Sequence, residues 1–242
     1  MGDETTDDTI EQLQEKIKSL RAKKDKTLKN LKVINENLKE GIRKDGKKYS
    51  IRNNRDRFFY PHEWMNFFDR LTKSQQTTFK FLINTGARIN EAIHVKVNDI
   101  DLINKRLTLR ITKVKSAKGE KNPRPRIIPL SSQFTKYLKK YILDNKLKGD
   151  DYLKLRSKPA THIALKKALQ NAKIHDWYMF STHNIRKTFE TWLMALGIDG
   201  LKITTHLGHS MAVAVGHYIS PDVFSWEEKQ GMRAILGDLY LR

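Results

Sequence analysis

The sequence contains no cysteine among its 242 residues. This absence excludes disulfides, thiolate metal sites and cysteine nucleophiles. It also lacks an apolar run long enough to cross a bilayer, and residues 1–8 are acidic rather than a basic segment before an apolar stretch. We therefore expect neither a membrane span nor a secretory signal.

Acidic residues are scarce relative to basic ones. The chain holds 27 Asp and Glu against 47 Lys and Arg, a formal net charge of +20. Apolar residues at 38% and aromatics at 9% are still enough for a packed core in one or two domains. Such an excess of positive charge predicts a polyanionic partner, and DNA or RNA is favoured over an anionic membrane. Charge alone does not separate an enzyme from a ribosomal or architectural protein.

Charge and hydropathy predict three segments: an acidic tail with a coiled-coil helix over 1–40, a basic linker over 41–56, and a packed domain over 57–242. Residues 1–56 hold 15 basic and 11 acidic residues, a net charge of +4, which leaves +16 for the rest. Apolar residues in alternating steps of three and four, interrupted only where Lys24 and Thr27 occupy two positions, form the predicted coiled-coil seam; they are Ile10, Leu13, Ile17, Leu20, Leu31, Ile34 and Leu38. This helix either associates with another chain or a partner, or folds onto its own domain.

The pattern from residue 57 onward predicts a mainly α fold with a small antiparallel β-hairpin. Alternating residues predict strands over 107–111 and 126–130, joined by a basic tip. Helical periodicity predicts one helix from Pro61 and others over 73–84, 89–96, 131–145, 159–172, 182–196, 199–207, 211–219 and 224–240.

Three short motifs combine a turn or helix start with arginine or histidine. In TGARINE, Arg88 begins a helix directly after a glycine turn. In HNIR, His183 and Arg186 are three residues apart and so share a helix face. In LGH, a glycine turn precedes His209, and Tyr218 follows nine residues later. Each motif alone is weak evidence of function.

Together and in this order, the motifs resemble the catalytic domain of the tyrosine recombinases, the phage-integrase and Xer-type family. The resemblance covers about residues 57–242 and includes the hairpin motif Lys118-Gly119 leading into RIIPL. It implies a site-specific DNA recombinase that forms a covalent 3′-phosphotyrosine through Tyr218. Arg88 and Arg186 are implied to bind the scissile phosphate, for which the guanidinium fork is suited.

The resemblance also implies roles for three further cationic or hydrogen-bonding side chains. Lys118 is implied to protonate the departing 5′ oxygen, although the basic tip also offers Lys115 and Lys121. His183 is implied to exchange the tyrosine proton or steady the phosphate, and His209 to donate a hydrogen bond to a non-bridging oxygen.

We expect no metal and no cofactor. His206 and His209 have the spacing of metal ligands, but no acidic residue lies near them in the sequence. The arginines take the place of a divalent metal, and the phosphotyrosine conserves the bond energy, so ATP is not needed. The implied partner is double-stranded DNA bound by a homo-oligomer, a tetramer in the family, in the cytoplasm at the nucleoid.

Several alternatives stay open at the level of sequence. A type IB topoisomerase uses the same tyrosine chemistry, although His183 in the HNIR motif favours the recombinase. A non-catalytic coiled-coil DNA-binding protein is the alternative of a different class. Only about 56 residues precede the catalytic domain, fewer than in typical members, so the chain is either a reduced integrase or truncated. The helix over 224–240 packs either on a neighbouring subunit or on its own domain.

Overall fold

The computed structural model describes residues 39–42, 48–51, 57–110, 125–208 and 224–241. Contacts divide the chain into two units, Met1–Arg52 and Asn53–Arg242. The predicted coiled coil, the helix predicted over 211–219, and the residues Lys118, His209 and Tyr218 lie outside the described ranges.

The first unit contains a two-stranded antiparallel sheet where we predicted the last two residues of the coiled-coil segment and a basic linker. Strand β1 (Lys39–Ile42) pairs with β2 (Lys48–Ile51), with Lys39 opposite Ile51. The sequence Lys48-Tyr49-Ser50-Ile51 alternates polar and apolar residues, and the connection contains Asp45-Gly46, a strong hairpin signal. The sequence prediction missed this hairpin because it relied on the high lysine and arginine content of the segment and not on the short-range pattern.

The second unit is mainly helical, as predicted. Its helices are α1 (Pro61–Asp69), α2 (Lys73–Thr85), α3 (Ile89–Ala92), α4 (Ser132–Asp144), α5 (Lys158–Asn171), α6 (Thr182–Ala195), α7 (Gly200–Leu207) and α8 (Trp226–Leu236). Short 3₁₀ turns occur at Val97–Asp99 and Trp177–Met179. Within the described ranges, no helix is both long enough and apolar enough to cross a bilayer.

A three-stranded antiparallel sheet accompanies the helices. Strands β3 (Ile100–Asp101), β4 (Arg106–Leu109) and β5 (Arg126–Pro129) pair in that order. The two predicted strands are confirmed, while β3 was missed because two residues are too few to show alternation. In β4, Leu107 and Leu109 are fully buried, since alternate residues share one face of a strand.

Helix α3 is shorter than predicted. We expected a helix over 89–96, whereas α3 ends at Ala92. The backbone then pairs with a distant segment: Val95 O accepts from Leu153 N–H at 3.0 Å, and the Val97 N–H donates to Asp151 O at 3.0 Å. Two β-branched valines in alternate positions favour this extended pairing over another helical turn.

Helix α6 is the centre of the second unit. Eleven of its fourteen residues are buried, which is typical of a helix surrounded by others. It packs against α2, α7 and α8, and Phe189, Trp192 and Leu193 are fully buried there. Helix α8 packs on α1, α2 and α6 of its own chain, with Met232 and Leu236 buried.

The chain enters this unit along α6. Asn184 Nδ2 donates to Arg57 O at 2.8 Å, and the Phe59 N–H donates to Thr188 Oγ1 at 2.9 Å. One turn further on, Trp192 Nε1 donates to Phe59 O at 2.9 Å. These bonds fix α6, and with it the HNIR motif, to residues 57–59.

Candidate active site

A glycine turn between α2 and α3 presents Arg88. Gly86 has φ +58°, a left-handed conformation that favours glycine. A Cβ at this position would lie 2.5 Å from Phe189 Cδ1 and 2.8 Å from Leu207 Cδ2. Glycine is therefore required both by the backbone angle and by the close approach of α6 and α7. Arg88 follows two residues later as the N-cap residue of α3.

Arg88 is held at its backbone and at its side chain by the same carboxylate. Its N–H donates to Glu91 Oε2, and its Nη1 donates to Glu91 Oε1, both at 2.9 Å. The Arg88 side chain is nevertheless 45% exposed. A ligand from solution can therefore reach its guanidinium group.

Arg126, which the sequence analysis did not single out, binds the same Glu91 carboxylate and forms a cluster with Arg88 and Glu91. Its Nη1 and Nη2 donate to Glu91 Oε1 and Oε2 at 3.0 and 2.7 Å, and its Nε donates to His206 O at 3.0 Å. The position of Arg126 in its strand could have indicated this role from the sequence. Arg126 lies two residues before Ile128, so it shares the inward face of β5, and a buried arginine needs a carboxylate partner.

Glu91 is buried and ionised. Burial opposes its ionisation, but hydrogen bonds and charge from Arg126, together with hydrogen bonds from Arg88, outweigh burial and lower its pKa to about 2. The carboxylate therefore stays negative throughout the neutral range. It neutralises one of the surrounding arginine charges.

Arg186 ties the Gly86 turn to the end of α7. It is almost completely buried, and its Nη1 donates to Gly86 O at 3.0 Å while its Nη2 donates to Leu207 O at 2.5 Å. Burial, reinforced by the charges of Arg88 and Arg126, lowers its pKa to about 9. Since this value is above neutrality, Arg186 remains a cation at pH 7.

His206, in the last turn of α7, is a buried hydrogen-bonding group next to the Gly86 turn. Its Nε2 is 2.9 Å from Thr85 O, and its Nδ1 is 2.7 Å from the Tyr240 hydroxyl. A carbonyl oxygen can only accept, so Nε2 carries the proton and Nδ1 accepts from Tyr240. Burial, together with the charges of Arg126 and Arg186, lowers the pKa of His206 to about 4. The imidazole is therefore neutral at pH 7.

His183 lies in the first turn of α6 and is exposed, three residues before the buried Arg186. The start of this helix is fixed by Asn184, whose Oδ1 accepts from the Ser181 N–H at 2.7 Å. The described part of the site thus brings Arg88 and Arg186 to the Gly86 turn and leaves His183 at the surface of the helix that carries Arg186.

The three predicted site residues outside the described ranges adjoin this cluster in sequence. Gly208, the last described residue before His209, ends α7 with φ +67°. Its N–H donates to Thr204 O at 2.8 Å. Arg126 follows the segment that contains Lys118.

The cluster has a net positive charge. Arg88, Arg126 and Arg186 contribute three positive charges, and Glu91 and Glu190, which both act electrostatically on Arg186, contribute two negative charges, which leaves +1. Such an arrangement suits a phosphate diester, because guanidinium groups bind phosphate oxygens through charge-assisted hydrogen bonds. In the part of the chain that the structure describes, no three histidine or acidic side chains are grouped as metal ligands.

The chain is similar to known integrases and recombinases. Residues 58–223 match the model of the phage integrase family. The tyrosine recombinase XerD of Staphylococcus saprophyticus is 31% identical over 144 residues, 56% of this chain and 46% of that protein. A probable integrase/recombinase of Acholeplasma phage L2 is 35% identical over 138 residues, 52% of this chain and 43% of that protein. The chain therefore spans less than half the length of these two relatives.

A solved structure has the same fold. The Tn1549 transposon integrase, in complex with a circular intermediate DNA, superposes with a TM-score of 0.57 over 75% of this chain and 66% of that chain, at 16% identity. The family match covers more than half of the chain and includes every described residue of the cluster around Gly86. The chain belongs to the phage integrase family.

Proposed function

We propose that this protein is a site-specific DNA recombinase or integrase, encoded by a virus or mobile element, that cleaves and rejoins duplex DNA through Tyr218. The observation that carries the proposal is the arginine cluster around Gly86. Arg88 is exposed at a helix start, Arg186 is fixed beside the same turn, and the cluster has a net positive charge. The sequence motif LGH lies at the end of α7, where Arg186 bonds Leu207 O, and Tyr218 follows nine residues beyond His209.

The first step is phosphoryl transfer from DNA to tyrosine. The Tyr218 oxygen attacks the phosphorus of a phosphodiester, the bond from phosphorus to the 5′ oxygen breaks, and the 3′ phosphate becomes attached to the tyrosine. A phenol with an ordinary pKa of ~10 is mostly protonated at pH 7. The surrounding cations favour the phenolate and stabilise the charge that develops on the phosphate oxygens.

Arg88 and Arg186 contribute to this step in different ways. The exposed Arg88 binds a non-bridging oxygen, and its orientation is fixed because Glu91 holds both its backbone and its side chain. Arg186 is already bonded to two backbone carbonyls, so it adds a fixed positive charge at the turn and needs little reorganisation during reaction.

Three further side chains complete the proposed mechanism. Lys118 gives a proton to the departing 5′ oxygen, His183 takes the phenol proton or steadies the phosphate, and His209 donates to a non-bridging oxygen. In the second step a 5′ hydroxyl from another duplex attacks the phosphotyrosine and regenerates Tyr218. Bonds formed and broken are of the same kind, so ATP is not required, and the arginines take the place of a divalent metal.

We propose duplex DNA as the partner, bound by a homo-oligomer, a tetramer on DNA, in the cytoplasm. The net charge of +16 on residues 57–242 supports this, since phosphate contacts by lysine and arginine dominate DNA affinity and make it salt-dependent. The Tn1549 integrase, whose fold is similar, was solved in complex with DNA. The seam over residues 10–38 is proposed as a coiled coil that associates between protomers.

Capture of a covalent adduct tests the proposal. The full chain is incubated with a pool of randomised duplexes, each carrying one nick, so that cleavage near the nick releases a short strand and traps the adduct. We expect protein bound to a DNA 3′ end with the wild type and with Tyr152→Phe, which removes the hydroxyl of an exposed tyrosine outside the three motifs. Tyr218→Phe should give none.

Three results would contradict the proposal. An adduct that persists in Tyr218→Phe would exclude this nucleophile, and the absence of any wild-type adduct would favour a non-catalytic DNA-binding protein. Relaxation of supercoiled DNA without joining of two duplexes would favour the type IB topoisomerase activity.

A further inference from the structure

We infer that His206 and Tyr240 are positioning residues for the cleavage reaction: they hold the Gly86 turn so that Arg88 and Arg186 face the scissile phosphate. Residues Gly237–Tyr240, which we call the C-terminal latch, thereby support the active site of their own chain. This inference rests on the proposed function and deepens it.

The first observation is a set of four backbone carbonyls held by three side chains. His206 Nε2 donates to Thr85 O, and Arg186 donates to the next carbonyl, that of Gly86. At the end of α7, Arg126 donates to His206 O and Arg186 donates to Leu207 O. These carbonyls end two helices, where no intrahelical N–H is available to them. The same side chains therefore fix both turns at the site relative to each other.

The second observation is the hydroxyl that fixes His206. Tyr240 donates to His206 Nδ1 at 2.7 Å, and this hydrogen bond joins residues 34 positions apart in the chain. The bond selects the tautomer in which Nε2 carries the proton, and that proton is the one donated to Thr85 O. Removing the Tyr240 hydroxyl therefore weakens the fixation of a carbonyl that is three residues from Arg88.

The third observation is that the C-terminal latch holds Tyr240 in an unusual backbone conformation. Tyr240 has φ +62°, which is costly for an aromatic residue. The preceding residues are held in place: the Asp238 carboxylate accepts from the Ser132 N–H at 2.6 Å and from its hydroxyl, and Leu239 is buried. In addition, Arg233 Nη1 donates to Leu239 O at 3.1 Å. These contacts compensate for the strain and aim the hydroxyl at His206.

The bond from Tyr240 to His206 and the bond from His206 to Thr85 O form a relay of two hydrogen bonds, and the surroundings of His206 keep this relay in one state. Arg126 from β5 and Arg186 from α6 face the ring with positive charge, and the Phe189 ring lies 4.9 Å from it. Both the cations and the apolar contact disfavour a second proton on the imidazole. The donor and acceptor directions of the relay are thus constant through the neutral range.

A matched pair of tyrosine variants tests the inference. Tyr240→Phe removes the hydroxyl of the relay, and Tyr141→Phe removes another partly buried hydroxyl, which donates to Leu153 O at 2.9 Å away from the site. We expect both to lower the urea midpoint of unfolding slightly. Only Tyr240→Phe should slow single-turnover adduct formation, roughly tenfold or more, at unchanged DNA affinity. Equal cleavage rates for the two variants would overturn the inference.

Two substitutions of His206 separate its two hydrogen bonds. His206→Gln carries an amide N–H at about the position of Nε2 and can still donate to Thr85 O. His206→Asn is shorter and can replace Nδ1 only, so it keeps the bond from Tyr240 and loses the bond to Thr85. We expect the glutamine variant to retain more of the cleavage rate than the asparagine variant. The reverse order would show that the turn does not depend on this bond.

Amide hydrogen exchange of the full chain provides a measurement without DNA. The Arg88 N–H donates to Glu91 and the Ala87 N–H to Thr85 Oγ1, so exchange at these two amides reports on the turn. We expect faster exchange there in Tyr240→Phe and not in Tyr141→Phe. Unchanged exchange would overturn the inference even if cleavage is observed. If the wild type forms no DNA adduct, the proposed function fails, whereas exchange still decides whether the C-terminal latch orders the turn.

Discussion

Arg126 and Glu91 form a bidentate ion pair, with Nη1 3.0 Å from Oε1 and Nη2 2.7 Å from Oε2. Both side chains are almost completely buried. The same carboxylate also holds Arg88, so a single acidic group joins β5 to the start of α3 and positions the exposed arginine of the site.

Glu91→Gln should destabilise the protein strongly. Without the carboxylate, Arg126 remains a buried charge with no compensating partner, and we expect the free energy of unfolding to fall by about 3 kcal/mol at neutral pH. Urea unfolding measures this value. The control Asp144→Asn breaks the exposed pair with Lys140 and should change it by less than about 1 kcal/mol. Equal losses in the two variants would contradict the role of burial.

Arg186→Lys should lower both stability and cleavage, whereas Arg88→Lys should lower cleavage with little effect on stability. A lysine ammonium group cannot reproduce the fork that bonds Gly86 O and Leu207 O. We expect Arg186→Lys to lower the free energy of unfolding by about 2 kcal/mol, measured by urea unfolding alongside adduct yield. A fully stable Arg186→Lys protein would show that the two carbonyl bonds are dispensable.

Stability should decrease as the pH falls below neutrality, in part because of His206. Its folded pKa of about 4 is below the ordinary value of 6.5. Between these values the unfolded chain binds more protons, so stability is constant above about 6.5 and is lost as the pH falls toward 4, by about 3 kcal/mol. Urea unfolding across this range should show the slope.

The control for this pH dependence is a comparison of two histidine variants. His206→Gln should remove most of the slope relative to wild type. His162→Gln should remove less of it. Burial and the nearby Lys166 also lower the pKa of His162, but this residue is exposed, so its pKa shift contributes less to stability. A slope that survives in His206→Gln would assign it to other groups. The loss from Glu91, whose pKa is about 2, begins only below its ordinary value of 4.5.

Gly86→Ala and Gly197→Ala should differ although both glycines have positive φ. Gly197, with φ +76°, has no atom within 4 Å of a Cβ built on it, so alanine there meets only backbone strain of about 1 kcal/mol. At Gly86 the new methyl group also overlaps Phe189 and Leu207. We expect a loss of about 3 kcal/mol by urea unfolding, and a similar loss at both positions would contradict the close packing.

The sequence predicts those elements whose pattern is local and long. Helices α4, α5 and α6 begin and end within one residue of the predicted bounds, because an apolar face repeats over thirteen or fourteen residues. Helix α3 was predicted too long, since pairing with residues 149–153 replaces its last turn. The fold class is confirmed for the described second unit.

The site could be predicted only in part, because some of its contacts join residues that are far apart in the chain. Arg88 and Arg186 lie in recognisable motifs, and the structure brings both to the Gly86 turn, while their catalytic roles stay predictions. Arg126 and His206 were not identified as parts of the site, because their partners are 35 and 121 residues away in the chain. No local periodicity encodes such contacts. The sequence analysis considered His206 only for its metal-ligand spacing, which it did not favour, and it did not foresee the hydrogen bonds to Thr85 and Tyr240.

The bonds between residues 57–59 and α6 have a practical consequence for dividing this chain. Asn184, Thr188 and Trp192 each use a side-chain group on this short segment, so the segment belongs to the folding unit although it precedes the first helix. A catalytic fragment or a fusion must therefore be joined at or before Arg57. A junction placed three residues later removes the backbone groups of residues 57–59 that bond Asn184, Thr188 and Trp192, and so loosens the helix that carries Arg186.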